Sequence, residues 1–166
     1  MTGDDAFGDL VAGNRVYAAS FALGGLEAHA ERGLAIVTCM DSRIEPLRML
    51  GLEPGDAKIL RNAGARVTED VLRSLVLAHY LLGVDRAIVI AHTDCRMAKG
   101  SEEDIHEAMR LAGGPDTRSL EFAVTSNQEA DLRADVQRVR SSPYLAELRV
   151  GGFLYDVRNG SITKIC

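Results

Sequence analysis

Leu34-Ala-Ile-Val-Thr38 and Arg86-Ala-Ile-Val-Ile-Ala91 are the two stretches of sequence that decide the fold class. Each is a short, mainly apolar run bounded by polar residues or glycine, which is the pattern of a strand buried on both faces of a sheet. Ala57-Lys-Ile-Leu60 and Leu148 to Asp156 predict two further strands, and Arg158-Asn-Gly160 then turns the chain into Ser161 to Ile165.

Helical patterns separate these predicted strands. Thr68 is the predicted N-cap of a helix that runs to Leu82, with Gly83 in the position that follows a helix C-terminus. Ser101-Glu-Glu-Asp104 resembles a capping box, and Glu129 to Arg140 predicts a charged helix. The alternation of strands and helices therefore predicts an α/β protein: a three-layer fold with a mainly parallel central β-sheet flanked by helices.

The N-terminal part predicts a helical arm over about residues 1–30. Its apolar residues recur at helical spacing and form a broad face, at Phe7, Leu10, Val11, Val16, Tyr17 and Phe21. Ile44 to Leu50 predicts a short helix stopped by Gly51. The length of 166 residues corresponds to one domain, so we expect a single domain over residues 1–166 that includes the arm.

Composition and charge exclude several classes of partner. The formal net charge is −5, whereas phosphate binding needs an excess of lysine and arginine, so no nucleic-acid partner is expected. No apolar run approaches the roughly 20 residues of a membrane span, and the N-terminal residues lack the pattern of a signal peptide. Three widely spaced cysteines suit a reducing compartment, so we expect a cytoplasmic protein.

Potential metal ligands follow two of the predicted strands. Parallel α/β sheets gather their ligands beyond the carboxyl ends of the strands. Cys39 and Asp41 follow the first strand, and His92 and Cys95 follow the third. Zinc takes thiolate, imidazole and carboxylate ligands, four at a time. The pattern therefore predicts Cys39, His92 and Cys95 as metal ligands, with Asp41 either the fourth ligand or a neighbour of an open position.

These residues lie in two motifs that resemble a known signature. Cys39-Met-Asp-Ser-Arg43, followed by His92-Thr-Asp-Cys95, resembles the zinc signature of the β-class carbonic anhydrases. Arg61-Asn-Ala-Gly64, the helix at Thr68 and the segment from Gly152 to Gly160 are similar to that family too. The resemblance covers roughly residues 10–165, so the predicted domain is a β-carbonic-anhydrase-like domain.

The resemblance implies a function and a set of roles. It implies Zn²⁺ on Cys39, His92 and Cys95, reversible hydration of carbon dioxide to bicarbonate and a proton, and a homodimer or larger homo-oligomer. Asp41 and Arg43 are the implied catalytic dyad. We expect Arg43 to hold the Asp41 carboxylate by charge-assisted hydrogen bonds. If Arg43 releases it, Asp41 moves onto the metal, so that it is a ligand in a closed state only.

Two other functions remain open from the sequence. Relatives with this set of ligands hydrolyse carbon disulfide or carbonyl sulfide, which are linear molecules like CO₂. A non-enzymatic zinc-stabilised module, with Asp41 as a permanent fourth ligand, is the second alternative. A cysteine-based phosphatase fits poorly, because Glu45 stands where its C-x5-R loop would need arginine.

Four residues near or outside the motifs have separate interpretations. Arg96 stands where many family members have glycine, and this puts the shape of the loop and access to it in doubt. Asp94 is interpreted as a solvated loop acid rather than as the residue that orients a ligand histidine. His106 is interpreted as a surface residue and Cys166 as an exposed thiol with no role.

Overall fold

A five-stranded sheet forms the centre of the computed structural model, which describes residues 6–166. Its strands are β1 (Leu34–Cys39), β2 (Ala57–Asn62), β3 (Arg86–His92), β4 (Arg149–Tyr155) and β5 (Ile162–Lys164). The order across the sheet is β2-β1-β3-β4-β5, and only β5 runs antiparallel to its neighbour. This sheet and its flanking helices confirm the predicted fold class.

Four α-helices accompany the sheet: α1 (Gly8–Ala19), α2 (Glu69–Leu81), α3 (Glu102–Leu111) and α4 (Gln128–Arg140). Both predicted caps are confirmed. The Thr68 side chain accepts a hydrogen bond from the backbone of α2, and Ser101 and Asp104 form a reciprocal capping box on α3. Within residues 6–166, no helix is long and apolar enough to cross a membrane.

The sheet has an apolar cluster on each face. Residues of α2 and α4, such as Leu75 and Val136, pack on one face against Val37 and Val89. Loop residues pack against the other face, where the cluster includes Ile36, Ile44, Leu52, Ile90 and Met97. All six residues of β1 are buried, as expected for a central strand covered on both faces. The ends of β1 and β3 are therefore fixed by packing on both sides.

The predicted helix at 44–50 is wrong in extent. Only Arg48–Leu50 is helical, and it is a single 3-10 turn that ends at Gly51 with a left-handed φ of 64°. Pro46 gives the physical reason, because proline lacks an N–H and disfavours the helical conformation of the residue before it.

The N-terminal arm is also less helical than predicted. The helix α1 ends at Ala19, turns follow it, and residues 1–5 of the predicted arm lie outside the described residues. Ser20, Gly24 and Gly25 follow the helix and favour non-helical backbone. Apolar side chains lie on α1, but they do not share one side of the helix, and no residue of α1 is buried. Leu10 is 64% exposed and Val16 is 75% exposed.

Candidate metal centre

The structure brings Cys39, His92 and Cys95 together at the carboxyl ends of the central strands of the sheet. Cys39 ends β1 and His92 ends β3, and these two strands are parallel neighbours. Cys95 follows three residues after His92. One donor atom of each residue lies within 4.8 Å of the other two, and all three residues are buried. The predicted convergence of two distant segments is confirmed.

The orientation of His92 leaves one ring nitrogen without a partner. Its Nδ1 lies 2.9 Å from the carbonyl oxygen of Thr93, and a carbonyl can only accept, so Nδ1 carries the hydrogen. The other nitrogen, Nε2, therefore has a free lone pair. Among the buried side-chain nitrogen and oxygen atoms of residues 6–166, it alone has no hydrogen-bond partner. Buried polar atoms are nearly always paired, so Nε2 fits a metal ion.

The hydrogen bond between the two thiols shifts their pKa values in opposite directions. Hydrogen bonding from the Cys95 side chain, with smaller contributions from backbone N–H groups, lowers the pKa of Cys39 to about 3. The same hydrogen bond, together with burial, raises the pKa of Cys95 above its usual range. A second buried thiolate at this distance needs a nearby cation, and metal binding to such thiols releases protons.

Asp41 lies beside this cluster and is held by Arg43. Arg43 Nε donates to Asp41 Oδ1 at 2.9 Å, and Arg43 Nη2 donates to Asp41 Oδ2 at 2.7 Å. The backbone N–H of Arg43 also donates to Oδ1, which closes a local turn. Asp41 Oδ2 lies 4.0 Å from His92 Nε2. The hydrogen bonds from Arg43 hold the pKa of the Asp41 carboxyl well below its usual range.

The loop between His92 and Cys95 contains a residue with an unusual backbone conformation. Asp94 adopts a left-handed φ of 56°. Its carboxylate accepts from Arg43 Nη1 at 2.9 Å and forms an ion pair with Lys99. The contact with Lys99 and, to a smaller extent, the contact with Arg43 lower the pKa of Asp94 to about 2. Asp94 is thus a partly exposed member of an ion-pair chain, and the group that orients His92 is the Thr93 carbonyl.

Arg96 bonds within its own turn rather than with the cluster. The loop continues from Cys95 into a 3-10 turn at Arg96–Ala98. The exposed Arg96 side chain donates from Nη1 to the Lys99 carbonyl at 2.8 Å. The departure at Arg96 therefore leaves the convergence of the three donors intact.

Arg61 holds the backbone on which Cys39 and Asp41 lie. It donates from Nε to the Cys39 carbonyl at 3.0 Å and from Nη2 to the Asp41 carbonyl at 2.6 Å. In the sequence, Arg61 stands out only as part of the family resemblance. Its contact with the Cys39 segment follows from the strand register, because Arg61 pairs with Thr38, the residue before Cys39.

Two further residues hold the cluster from outside the motifs. Gln128, the first residue of α4, donates to the His92 carbonyl at 2.9 Å, and no local sequence signal points to this contact. Gly64 has a left-handed φ of 80°, and Met97 lies 3.4 Å from the position of an added Cβ. Both the conformation and the close approach favour glycine there.

Two residues considered in the sequence lie apart from the cluster. His106 is half-buried on α3, where its Nδ1 lies 2.9 Å from Thr117 Oγ1 and its ring packs against Phe122. Cys166 is half-buried rather than exposed, and it packs against the apolar cluster that includes α4. Neither residue belongs to the donor group.

A family model and several known proteins match most of this chain in sequence. A family model described as carbonic anhydrase matches residues 34–162. The chain is 35% identical over 159 residues to beta-carbonic anhydrase 1 of Mycobacterium tuberculosis, which covers 95% of this chain and 96% of that protein. It is also 30% identical over 158 residues to a carbon disulfide hydrolase of an Acidianus species, over 80% of this chain and 77% of that protein.

A solved structure agrees over nearly the whole fold. The crystal structure of carbonic anhydrase from Streptococcus mutans matches with a TM-score of 0.89 and 34% identity, over 96% of this chain and 97% of that one. The resemblance carried by the two motifs therefore extends to the fold and to most of the sequence. The chain belongs to the β-class carbonic anhydrase family of enzymes.

Proposed function

We propose that the protein is a zinc enzyme that converts carbon dioxide and water reversibly to bicarbonate and a proton. The observation that carries the proposal is the buried group of Cys39, His92 and Cys95, with the unpartnered His92 Nε2 directed into it and Asp41 held 4.0 Å from that nitrogen. Two thiolates and one imidazole suit zinc.

Each residue of the centre has a proposed role. Cys39, His92 and Cys95 hold the metal. Zinc held by these three residues would supply a nucleophile at neutral pH, since zinc with an open coordination position lowers the pKa of a bound water to about 7. The Asp41 carboxylate accepts a hydrogen bond from the attacking water and fixes its direction. Arg43 holds Asp41 in that orientation and away from the metal, so Asp41 becomes a ligand only in a closed state.

The Asp41 carboxyl does not set the pH dependence of the reaction near neutrality. Its pKa is lowered by Arg43, so the charged form persists at every pH above the ordinary aspartate range and is lost only in strong acid. A change in activity between pH 6 and 9 therefore reports on a different group.

The experiment that tests the function compares two substrates. Zinc-loaded protein is assayed by stopped flow for CO₂ hydration and, in parallel, for sulfide release from carbon disulfide. We expect hydration of CO₂ as the main activity. Carbon disulfide hydrolysis is the second candidate, because a curated relative with that name is 30% identical. A loaded protein that acts on neither substrate is the result expected of a zinc-stabilised module.

We further propose that the chain acts as one domain in the cytoplasm, without nucleic-acid or membrane partners. The two apolar clusters share one sheet, which supports a single domain. The net charge of −5 supports the absence of a nucleic-acid partner. A metal centre with two thiolate ligands suits a reducing compartment.

We also propose that two or more copies associate. Leu10 and Tyr17, about two helical turns apart on α1, form an exposed apolar face that nothing in residues 6–166 buries. Contiguous exposed apolar surface is typical of protein interfaces. The strand β2 lies at one edge of the sheet, with a backbone edge that a second chain can pair or cover.

Placing charges on α1 is expected to dissociate the assembly. The double variant Leu10→Glu, Tyr17→Glu loses two apolar contacts and buries two charges in the associated state, so dissociation constants rise by about a hundredfold or more. Sedimentation velocity measures the change. Ala12→Glu, which adds a charge on the opposite side of α1, is the matched control and leaves the assembly intact. An unchanged sedimentation profile of the double variant contradicts the proposed interface.

Removing the Arg61 side chain is expected to weaken metal binding. Arg61→Ala frees the carbonyls of Cys39 and Asp41, and we expect about a tenfold loss of zinc affinity, as is usual for outer contacts of a metal site. Competition with a chromophoric chelator measures it. Arg86→Ala removes a comparable arginine–carbonyl contact at the opposite end of the strands and serves as control. Equal affinities in both variants would remove Arg61 from the support of the centre.

A further inference from the structure

Asp41 and Asp94 hold the Arg43 guanidinium from two sides. Its Nε and Nη2 donate to the two carboxylate oxygens of Asp41. Its Nη1 donates to Asp94 Oδ2 at 2.9 Å, and its Nη2 also donates to the Asp94 carbonyl at 3.2 Å. Four of the five guanidinium N–H groups are engaged, so the plane of the group has one orientation.

The contact between Arg43 and Asp94 depends on the backbone conformation of Asp94. The φ of 56° is a conformation that few residues other than glycine, asparagine and aspartate tolerate. Asp94 stands between His92 and Cys95 in the chain, yet it does not belong to the donor group. Its side chain and its carbonyl both meet Arg43 instead. The loop that carries two donors thus also carries the second anchor of the dyad.

Lys99 completes a chain of alternating charges. Asp41, Arg43, Asp94 and Lys99 follow one another as anion, cation, anion and cation, each in contact with the next. Without Lys99, the single cation of Arg43 would lie between two carboxylates that compete for it. With Lys99, the charge of Asp94 is balanced, and Arg43 keeps its full attraction for Asp41.

We propose that Asp94, supported by Lys99, is a positioning residue that fixes the Arg43 guanidinium and, through it, the direction of the Asp41 carboxylate. This inference rests on the proposed function and extends it to two residues that the motif leaves without a role. The Arg43 side chain is 43% exposed, and a single exposed ion pair holds a flexible arginine weakly. A second anchor on the opposite side restricts its rotamers before substrate arrives.

Asp94→Gly is the main test, because glycine accepts the left-handed φ and the change removes only the carboxylate. Zinc-loaded variants are compared with wild type. We expect Asp94→Gly to retain its zinc, while kcat and kcat/KM for CO₂ hydration fall together by about tenfold. Lys99→Ala, which leaves the donor loop untouched, shows a smaller loss in the same direction. Loss of zinc from Asp94→Gly would assign the residue to the metal loop and overturn the proposal.

A double-mutant cycle with Arg43→Ala separates positioning from a general structural role. If Asp94 acts through Arg43, Asp94→Gly lowers kcat by less than about twofold once Arg43 is absent. Equal losses in both backgrounds overturn the inference. An NMR readout stands apart from activity: the Arg43 Nε–H signal exchanges slowly in wild type and faster in Asp94→Gly. Unchanged exchange overturns the positioning role even if the protein fails to hydrate CO₂, so the two failures are distinguishable.

Discussion

Replacing Cys95 with serine is expected to remove the bound metal and, with it, the activity. Cys95 is buried, and its sulfur lies within 4.8 Å of the other two donors. A serine hydroxyl stays protonated at neutral pH and is a poor zinc ligand, so only two protein ligands remain. The loss of affinity exceeds the roughly 10–100-fold that outer contacts contribute. Metal analysis after dialysis, together with chelator competition, measures it.

The third cysteine provides the matched control. Cys166 is a half-buried free thiol that packs beside Gly152, away from the donor group. Cys166→Ser therefore makes the same chemical change without touching the centre, and it retains full zinc and full activity. A Cys95→Ser protein that retains one zinc per chain contradicts the assignment of Cys95 as a ligand. It would also remove the basis of the proposed reaction.

Replacing Asp41 with asparagine is expected to separate metal binding from turnover. The amide oxygen of the new side chain can still accept from the backbone N–H of Arg43, so the local turn persists and zinc remains bound. The negative charge that accepts the hydrogen of the attacking water is lost. We expect kcat/KM for CO₂ hydration to fall by about 10²–10³-fold, the range for one lost hydrogen-bond partner at a reacting centre. Stopped-flow assays with parallel metal analysis measure both quantities.

The chain contains a close structural copy of this pair away from the centre. Asp116 accepts from the backbone N–H of Arg118 at 3.0 Å and from its Nε at 2.9 Å, the same arrangement two residues apart. Asp116→Asn thus removes an equivalent carboxylate and is expected to leave both zinc and kcat/KM unchanged. Similar losses in both variants would mean that Asp41 acts through general stability rather than through the reaction.

The sequence allowed most of the sheet to be predicted, because the signals for it are local. The apolar runs at 34–38 and 86–91 lie within β1 and β3, and the caps at Thr68 and Ser101 start α2 and α3. The convergence of Cys39 with His92 and Cys95 followed from one general rule, that parallel strands end at a common edge.

Long-range side-chain contacts could not be predicted in the same way. Arg61, Gln128 and Lys99 all bond to the segments that carry the centre, but each contact depends on tertiary geometry rather than on spacing in the chain. The exposure of α1 was equally hidden, since helical periodicity predicts an apolar face but does not tell what covers it. At 44–50, the apolar pattern predicts a helix, whereas Pro46 limits the helical turn to Arg48–Leu50.

The parallel pairing of β1 with β3 has a consequence for the order of assembly. In the unfolded chain a long flexible segment separates Cys39 from His92 and Cys95, so the three donors come together only in the native topology. A ligand selective for the native state raises the free energy of unfolding by about 4 kcal/mol at a thousandfold excess over its dissociation constant, and the melting temperature rises with it. We therefore expect zinc availability to set the resistance of this chain to heat and proteolysis.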